Sequence, residues 1–216
     1  MQKFFKNGFV LFSMILFLGG CRATQYDLTK SQLKASFQGS GKVAIGAQDL
    51  RSFVVDGTKP PAHIGSHRHG SGMPRDANTK SGKTLAEDIT AILASSFVAN
   101  GFQVTQFAIS TNDNQEALLR QQAASAYDKI IVLTLKKFRS DSWVEVELQW
   151  EIKMSVYDDK GTLLAEKESV GFEEGIKRNY TGFLSGGQAQ KAITDKLGAI
   201  LVELINAPEC QKAIVN

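Results

Sequence analysis

The longest regular signal in the chain lies at residues 143–157. Val144, Val146, Leu148, Trp150, Ile152, Met154 and Val156 alternate there with Glu145, Glu147, Gln149, Glu151, Lys153 and Ser155. A strict period of two predicts a strand with one buried and one wet face, because successive side chains leave a strand on opposite sides. Asp158-Asp159-Lys160-Gly161 follows as a hairpin turn, with glycine at the left-handed position, and Thr162 to Phe172 returns as the partner strand. Helical spacing shows elsewhere. Thr84-Leu85-Ala86-Glu87 is a capping box that opens a helix with Leu85, Ile89, Ile92, Leu93 and Phe97 on one face. Asn100-Gly101 closes it. A further helix is predicted at about Asn114 to Ala126, with Leu118 and Leu119 inward. Another runs from about Gly187 to Ile205, carrying Ala192, Ile193, Leu197, Ile200, Leu201 and Leu204, and Pro208 stops it. Lys42 to Gln48, Phe53 to Asp56, Phe102 to Phe107 and the apolar run Ile130 to Leu135 read as strands.

This order predicts an α+β fold: a mixed or antiparallel sheet with a long hairpin in its C-terminal half and about three helices packed on one face. One domain is expected over 42–210. Residues 57–83 hold three of the four prolines and all three histidines, and they read as a long loop. Residues 21–41 are polar and read as a lipidated N-terminus followed by a flexible tether.

The first twenty residues read as a signal peptide. Lys3 and Lys6 precede an almost unbroken apolar run from Phe9 to Leu18. Ten helical residues span only about 15 Å, half a bilayer core, so the run fits a secretory segment better than a membrane span. Leu18-Gly19-Gly20-Cys21 resembles the lipobox of bacterial lipoproteins. That resemblance implies diacylglycerol on the Cys21 thiol, cleavage before Cys21 and acylation of its new amine. Thioether formation needs a soft nucleophile, which cysteine supplies. Arg22 follows where an aspartate would favour the inner membrane, which implies the outer membrane, facing the periplasm.

The chain carries a formal charge of +3. Removing residues 1–20 takes Lys3 and Lys6 and no acid, leaving about +1. No basic stripe supports nucleic-acid binding, and none is expected. With Cys21 lipidated, Cys210 has no partner cysteine in the chain and reads as a tolerated thiol near a loose C-terminus.

Candidate chemistry is sparse. His63, His67 and His69 crowd one loop and offer a metal-binding or enzymatic alternative, yet the surrounding glycines and serines give little preorganisation. Glu145, Glu147 and Glu151 fit the wet face of a strand. Ser81-Gly82-Lys83-Thr84 lacks the earlier glycine of a phosphate-binding loop, since Ala77 stands there. Gly171 to Gly187, with Phe172, Tyr180 and Phe183, is either a partner-binding loop or a seal over the last helix. No catalytic set, cofactor site or metal site is expected.

Val54-Val55-Asp56, then Ile64-Gly65, then the helix into Asn100-Gly101-Phe102-Gln103-Val104, together with the lipobox, resemble the YajG-like bacterial lipoproteins. That family often carries an arginine soon after the aspartate, where this chain has Gly57-Thr58-Lys59. The general plan also resembles auxiliary lipoproteins of envelope transport systems, from which lipid carriage between hairpin and helices is a further alternative. These resemblances imply a membrane-anchored protein that binds an envelope partner and supply no catalytic residue.

Overall fold

The structure is a computed structural model and describes residues 23–31, 33–114, 118–119, 127–176 and 182–216. Cys21 and the predicted signal peptide lie outside the described residues, as does most of the helix expected at 114–126. The strands are β1 (Thr24–Tyr26), β2 (Lys42–Asp49), β3 (His63–Arg68), β4 (Pro74–Thr79), β5 (Gln103–Gln106), β6 (Lys129–Ser142), β7 (Val146–Asp158) and β8 (Leu163–Ile176). The helices are α1 (Ser52–Val55), α2 (Leu85–Ala99), α3 (Gly186–Ile205) and α4 (Pro208–Val215).

The eight strands form one mixed sheet organised around β6. One edge of β6 pairs antiparallel with β7 from Lys129 to Ser142, and β7 pairs antiparallel with β8. The other edge changes neighbour partway. Val43–Asp49 of β2 run parallel to Lys129–Leu135, and Gly65–His67 of β3 run parallel to Ser140–Ser142. The predicted hairpin is therefore present as β7 and β8, with both strands displaced a few residues towards the C-terminus from the predicted bounds.

The period-two face is the core face. Val146, Leu148, Ile152, Met154 and Val156 are fully buried, and Leu93, Phe97, Leu197, Leu201 and Leu204 meet that core from α2 and α3. Glu151 and Lys153 on the opposite face pair with Lys136 and Glu166. A small second cluster of Ala44, Leu119, Ile130 and Val132 lies apart from the main core. Both main helices begin with complete capping boxes, Thr84 with Glu87 and Ser185 with Gln188, and each such cap is worth about 1 kcal/mol.

Four expectations are corrected. Residues 52–55 form α1, not a strand: the Val55 N–H donates to the Arg51 carbonyl at 3.0 Å, and Gly57 turns the chain with φ 75°. Local β-branched preference yields there to the anchoring of Arg51. Residues 57–83 are not a loop but contain the β3–β4 hairpin, because β6 offers β3 an edge that local composition does not reveal. Gly65 makes that pairing possible, since a Cβ on it would collide with the Ser140 carbonyl.

The described part of the expected tether is bound to the domain. β1 pairs with β4, Tyr26 and Leu28 are fully buried, and Phe37 packs edge-on against Phe97 and Phe102. A few apolar residues, widely spaced among polar ones, are enough to strap the segment down. Finally, α3 ends at Ile205 ahead of Pro208 as expected, but Pro208 then starts α4, whose Cys210 and Ile214 are buried, so the domain runs past residue 210.

Candidate functional site

The strand registers bring several chain reversals to one end of the sheet. Arg68 pairs with Pro74 at the tip of the β3–β4 hairpin, and Ser142 pairs with Val146 across the β6–β7 turn. His67 faces Ser142 across β3 and β6, which places these two reversals side by side. The chain entering α3 joins them, where the Leu184 N–H donates to the Trp143 carbonyl at 2.8 Å. On this frame the Trp143 indole stacks on Phe183, with centroids 5.9 Å apart and planes 18° apart. The hairpin tip lies close by: a Cβ added to Gly72, at φ 75°, would stand 3.5 Å from the Trp143 indole, and one added to Gly70 would stand 3.8 Å from the Phe183 ring. The cluster is apolar yet open to solvent: Met73 is 67% exposed, Phe183 53%, Val144 45% and Trp143 41%. Apolar surface gathered this way marks an interaction site more often than scattered exposed residues do.

Directly beneath lies a buried polar knot. His67 Nδ1 is 3.0 Å from Ser142 Oγ and 3.2 Å from the Tyr26 hydroxyl, which is itself 3.1 Å from Ser142 Oγ. A serine beside a histidine is the first requirement of a nucleophile and its base. Here all three side chains are enclosed, and the Ser142 hydroxyl donates to the Ser66 carbonyl at 3.2 Å. The knot therefore ties β1, β3 and β6 together and presents no nucleophile. Burial holds His67 below the usual imidazole range, with His69 adding to the effect and Asp141 opposing it. Burial also pushes the Tyr26 phenol up to about 12. Arg68 and Asp141 flank the knot in a fork: Nε donates to Oδ1 at 3.0 Å and to Oδ2 at 3.2 Å, and Nη2 donates to Oδ2 at 2.6 Å.

The histidines, expected on a solvated loop, are placed by the hairpin. His63 and His67 are almost wholly buried, and the His67 and His69 rings meet edge to face at 4.9 Å. His63 instead packs against Phe53 and points Nδ1 at Asp76, 3.7 Å away, while Lys59 grips Asp76 at 2.7 Å. Burial lowers the His63 pKa, and Asp76 opposes that shift. A groove of 410 Å³ runs over His63, Lys59, Asp76 and Arg139. Among the described residues no three His, Cys, Asp or Glu side chains gather to hold a metal ion.

Two residues escaped the sequence reading. Arg51 is fully buried at the seam where β6 passes from β2 to β3. It binds Asp49 in a fork, donates to the His63 carbonyl at 2.5 Å and the Pro61 carbonyl at 2.9 Å, and reaches the Phe138 carbonyl at 3.4 Å. An Asp-x-Arg at a strand end was the available signal.

The remaining candidates resolve simply. Ser81 donates to Asp88 at 2.9 Å and Thr84 caps α2, so that segment is a helix entry. Of the 171–187 stretch, Phe172 and Phe183 are exposed while Leu184 is buried; Tyr180 lies outside the described residues. Space for a carried lipid between hairpin and helices is taken by Ile193, Leu197, Leu201, Leu204 and Ile205, all in the main core. Cys210 is not on a loose terminus: it is fully enclosed, and burial pushes its thiol up to about 11. No helix among the described residues is long and apolar enough to cross a membrane.

No family model matches the chain, and no curated protein matches it. Among solved structures, protein XCC0632 from Xanthomonas campestris (DUF330) aligns over 86% of this chain and 93% of its own, at 12% identity and a TM-score of 0.51. A PelC dodecamer from Paraburkholderia phytofirmans aligns over 81% of this chain and 91% of its own, at 9% identity and a TM-score of 0.41. Lipoprotein GNA1162 from Neisseria meningitidis aligns over 74% of this chain and 99% of its own, at 13% identity and a TM-score of 0.28. With the strand order and the helix-covered face established above, the first of these alignments shows that this chain shares its α+β fold with XCC0632.

Proposed function

We propose that the chain is a lipoprotein anchored through Cys21 in the outer membrane, facing the periplasm, and that it works by binding another envelope component rather than by catalysis. The observation that carries this is Leu18-Gly19-Gly20-Cys21 at the end of a ten-residue apolar run behind two lysines. Several acyl chains hold such a protein firmly, since each buried CH₂ contributes about 0.8 kcal/mol. Support for binding over catalysis comes from the enclosure of the His67–Ser142 contact and from the separation of His63 from His67 and His69.

Palmitate labelling of producing cells tests the anchor. Wild type is expected to take up label and Cys21→Ala to lose it; equal labelling of the two would overturn the proposal. Crosslinking in cells tests the binding role, with a discrete partner adduct at native abundance expected and a lone monomer contradicting it.

A further inference from the structure

We infer that the surface formed by Met73, Trp143, Val144 and Phe183 rests in the bilayer interface, so that the anchored domain lies on the membrane instead of hanging from it. This deepens the proposal for Cys21 and rests on it.

The direction of β1 carries the inference. β1 runs parallel to β4, with Thr24 opposite Ala77 and Tyr26 opposite Thr79. Going back along β1 from Thr24 therefore leads the same way as going back along β4 from Ala77, towards Pro74 and the hairpin tip. Thr24 also lies near Gly186, three residues beyond Phe183: a Cβ added to Gly186 would stand 3.8 Å from the Thr24 methyl. The chain thus leaves the domain at the end that bears the exposed cluster. Cys21 is three residues before Thr24, and three extended residues reach at most about 11 Å. A lipid on Cys21 leaves that end of the sheet no room to stand far from the headgroups.

The chemistry of the surface fits that position. Indole rings settle at the boundary between headgroups and acyl chains, and phenyl and aliphatic side chains beside them bury in the apolar layer just below. The exposed Arg75 on β4 can meet lipid phosphates. Glu145 and Glu147 lie at the same end, so apolar burial, not attraction to anionic lipid, is what seats the surface. The Tyr26–His67–Ser142 knot and the Arg68–Asp141 pair stiffen the platform behind it.

The two tryptophans make this measurable: Trp143 is exposed, while Trp150 is buried beneath the Lys196 ammonium. The full chain, matured in the producing cell, is reconstituted with phosphatidylcholine vesicles whose acyl chains are brominated near the headgroup, and the same samples are scored for flotation. Protein that floats is expected to lose the Trp143 part of its emission. Trp143→Phe should abolish that loss, and Met73→Trp in the Trp143→Phe background should restore it. Floating protein quenched no more than Trp143→Phe would overturn the inference and leave the anchor standing, with the surface then free for an envelope protein or a second copy. Protein that neither floats nor carries lipid would remove the anchor and the inference together.

Discussion

Arg51 grips Asp49 through two short bonds, Nε to Oδ1 at 2.8 Å and Nη2 to Oδ2 at 2.6 Å, where β6 exchanges one neighbouring strand for another. At that seam the backbone cannot complete its own ladder, and the guanidinium supplies donors to the Pro61, His63 and Phe138 carbonyls. Removing one member of a buried pair leaves the other charged and unpaired, which costs about 3–5 kcal/mol. Arg51→Met is expected to lower the unfolding free energy by that amount. Adding Asp49→Asn should recover part of the loss, because the two sites share one interaction. Urea denaturation of the single and double variants checks both statements.

Stability should fall on mild acidification. Burial lowers the pKa of both His63 and His67 in the folded state. The unfolded chain therefore takes up protons first, starting near the ordinary imidazole value of about 6.5. Because the unfolded state then binds more protons, the histidine contribution to stability is intact above that value and declines as the pH drops towards the folded values. The urea midpoint should decrease between about pH 7 and 5, and His67→Gln should make that decrease shallower. A midpoint that rises on acidification across this window would contradict the burial of these histidines.

The two kinds of phenylalanine in this fold should respond very differently to truncation. Phe138 is fully buried in the main core, and Phe138→Ala should cost about 3–5 kcal/mol. Phe183 is half exposed and stacks only on a partly exposed indole, so Phe183→Ser should cost about 1 kcal/mol or less. Chemical denaturation followed by circular dichroism distinguishes the two. A large loss at Phe183 would mean that it seals the domain and is not a contact surface.

Much of this architecture was legible along the chain, and the exceptions share a cause. The β7 alternation, the Thr84 capping box and the α3 stripe are local patterns, each set by residues within a few positions of one another. The β3–β4 hairpin was not legible, because Gly65 and the histidines gain their strand partner from β6, some 75 residues away. Val54 and Val55 read as strand on local preference, and tertiary anchoring by Arg51 decided otherwise. Tyr26 and Phe37 stand in a polar segment, and nothing local marks the gaps in the core that they fill. The exposed cluster was half visible: Phe183 stood out as a loop aromatic, but its stacking on Trp143, at the end of the sheet that also carries Met73, depends on the registers of three separate reversals.

Cys210 offers a simple check on the C-terminal helix. A thiol that is enclosed and pushed up to about 11 forms little thiolate at neutral pH. In the native mature protein Cys210 should react with a thiol reagent orders of magnitude more slowly than in denaturant. Fast modification of the folded protein would show that α4 does not pack as described.

The anchor itself is tested most directly by the mass of the N-terminal peptide from the mature protein. A peptide that begins at Cys21 and carries a thioether-linked diacylglycerol with an acylated amine is expected. A peptide that begins at Met1, or at any residue without lipid, would contradict the anchor.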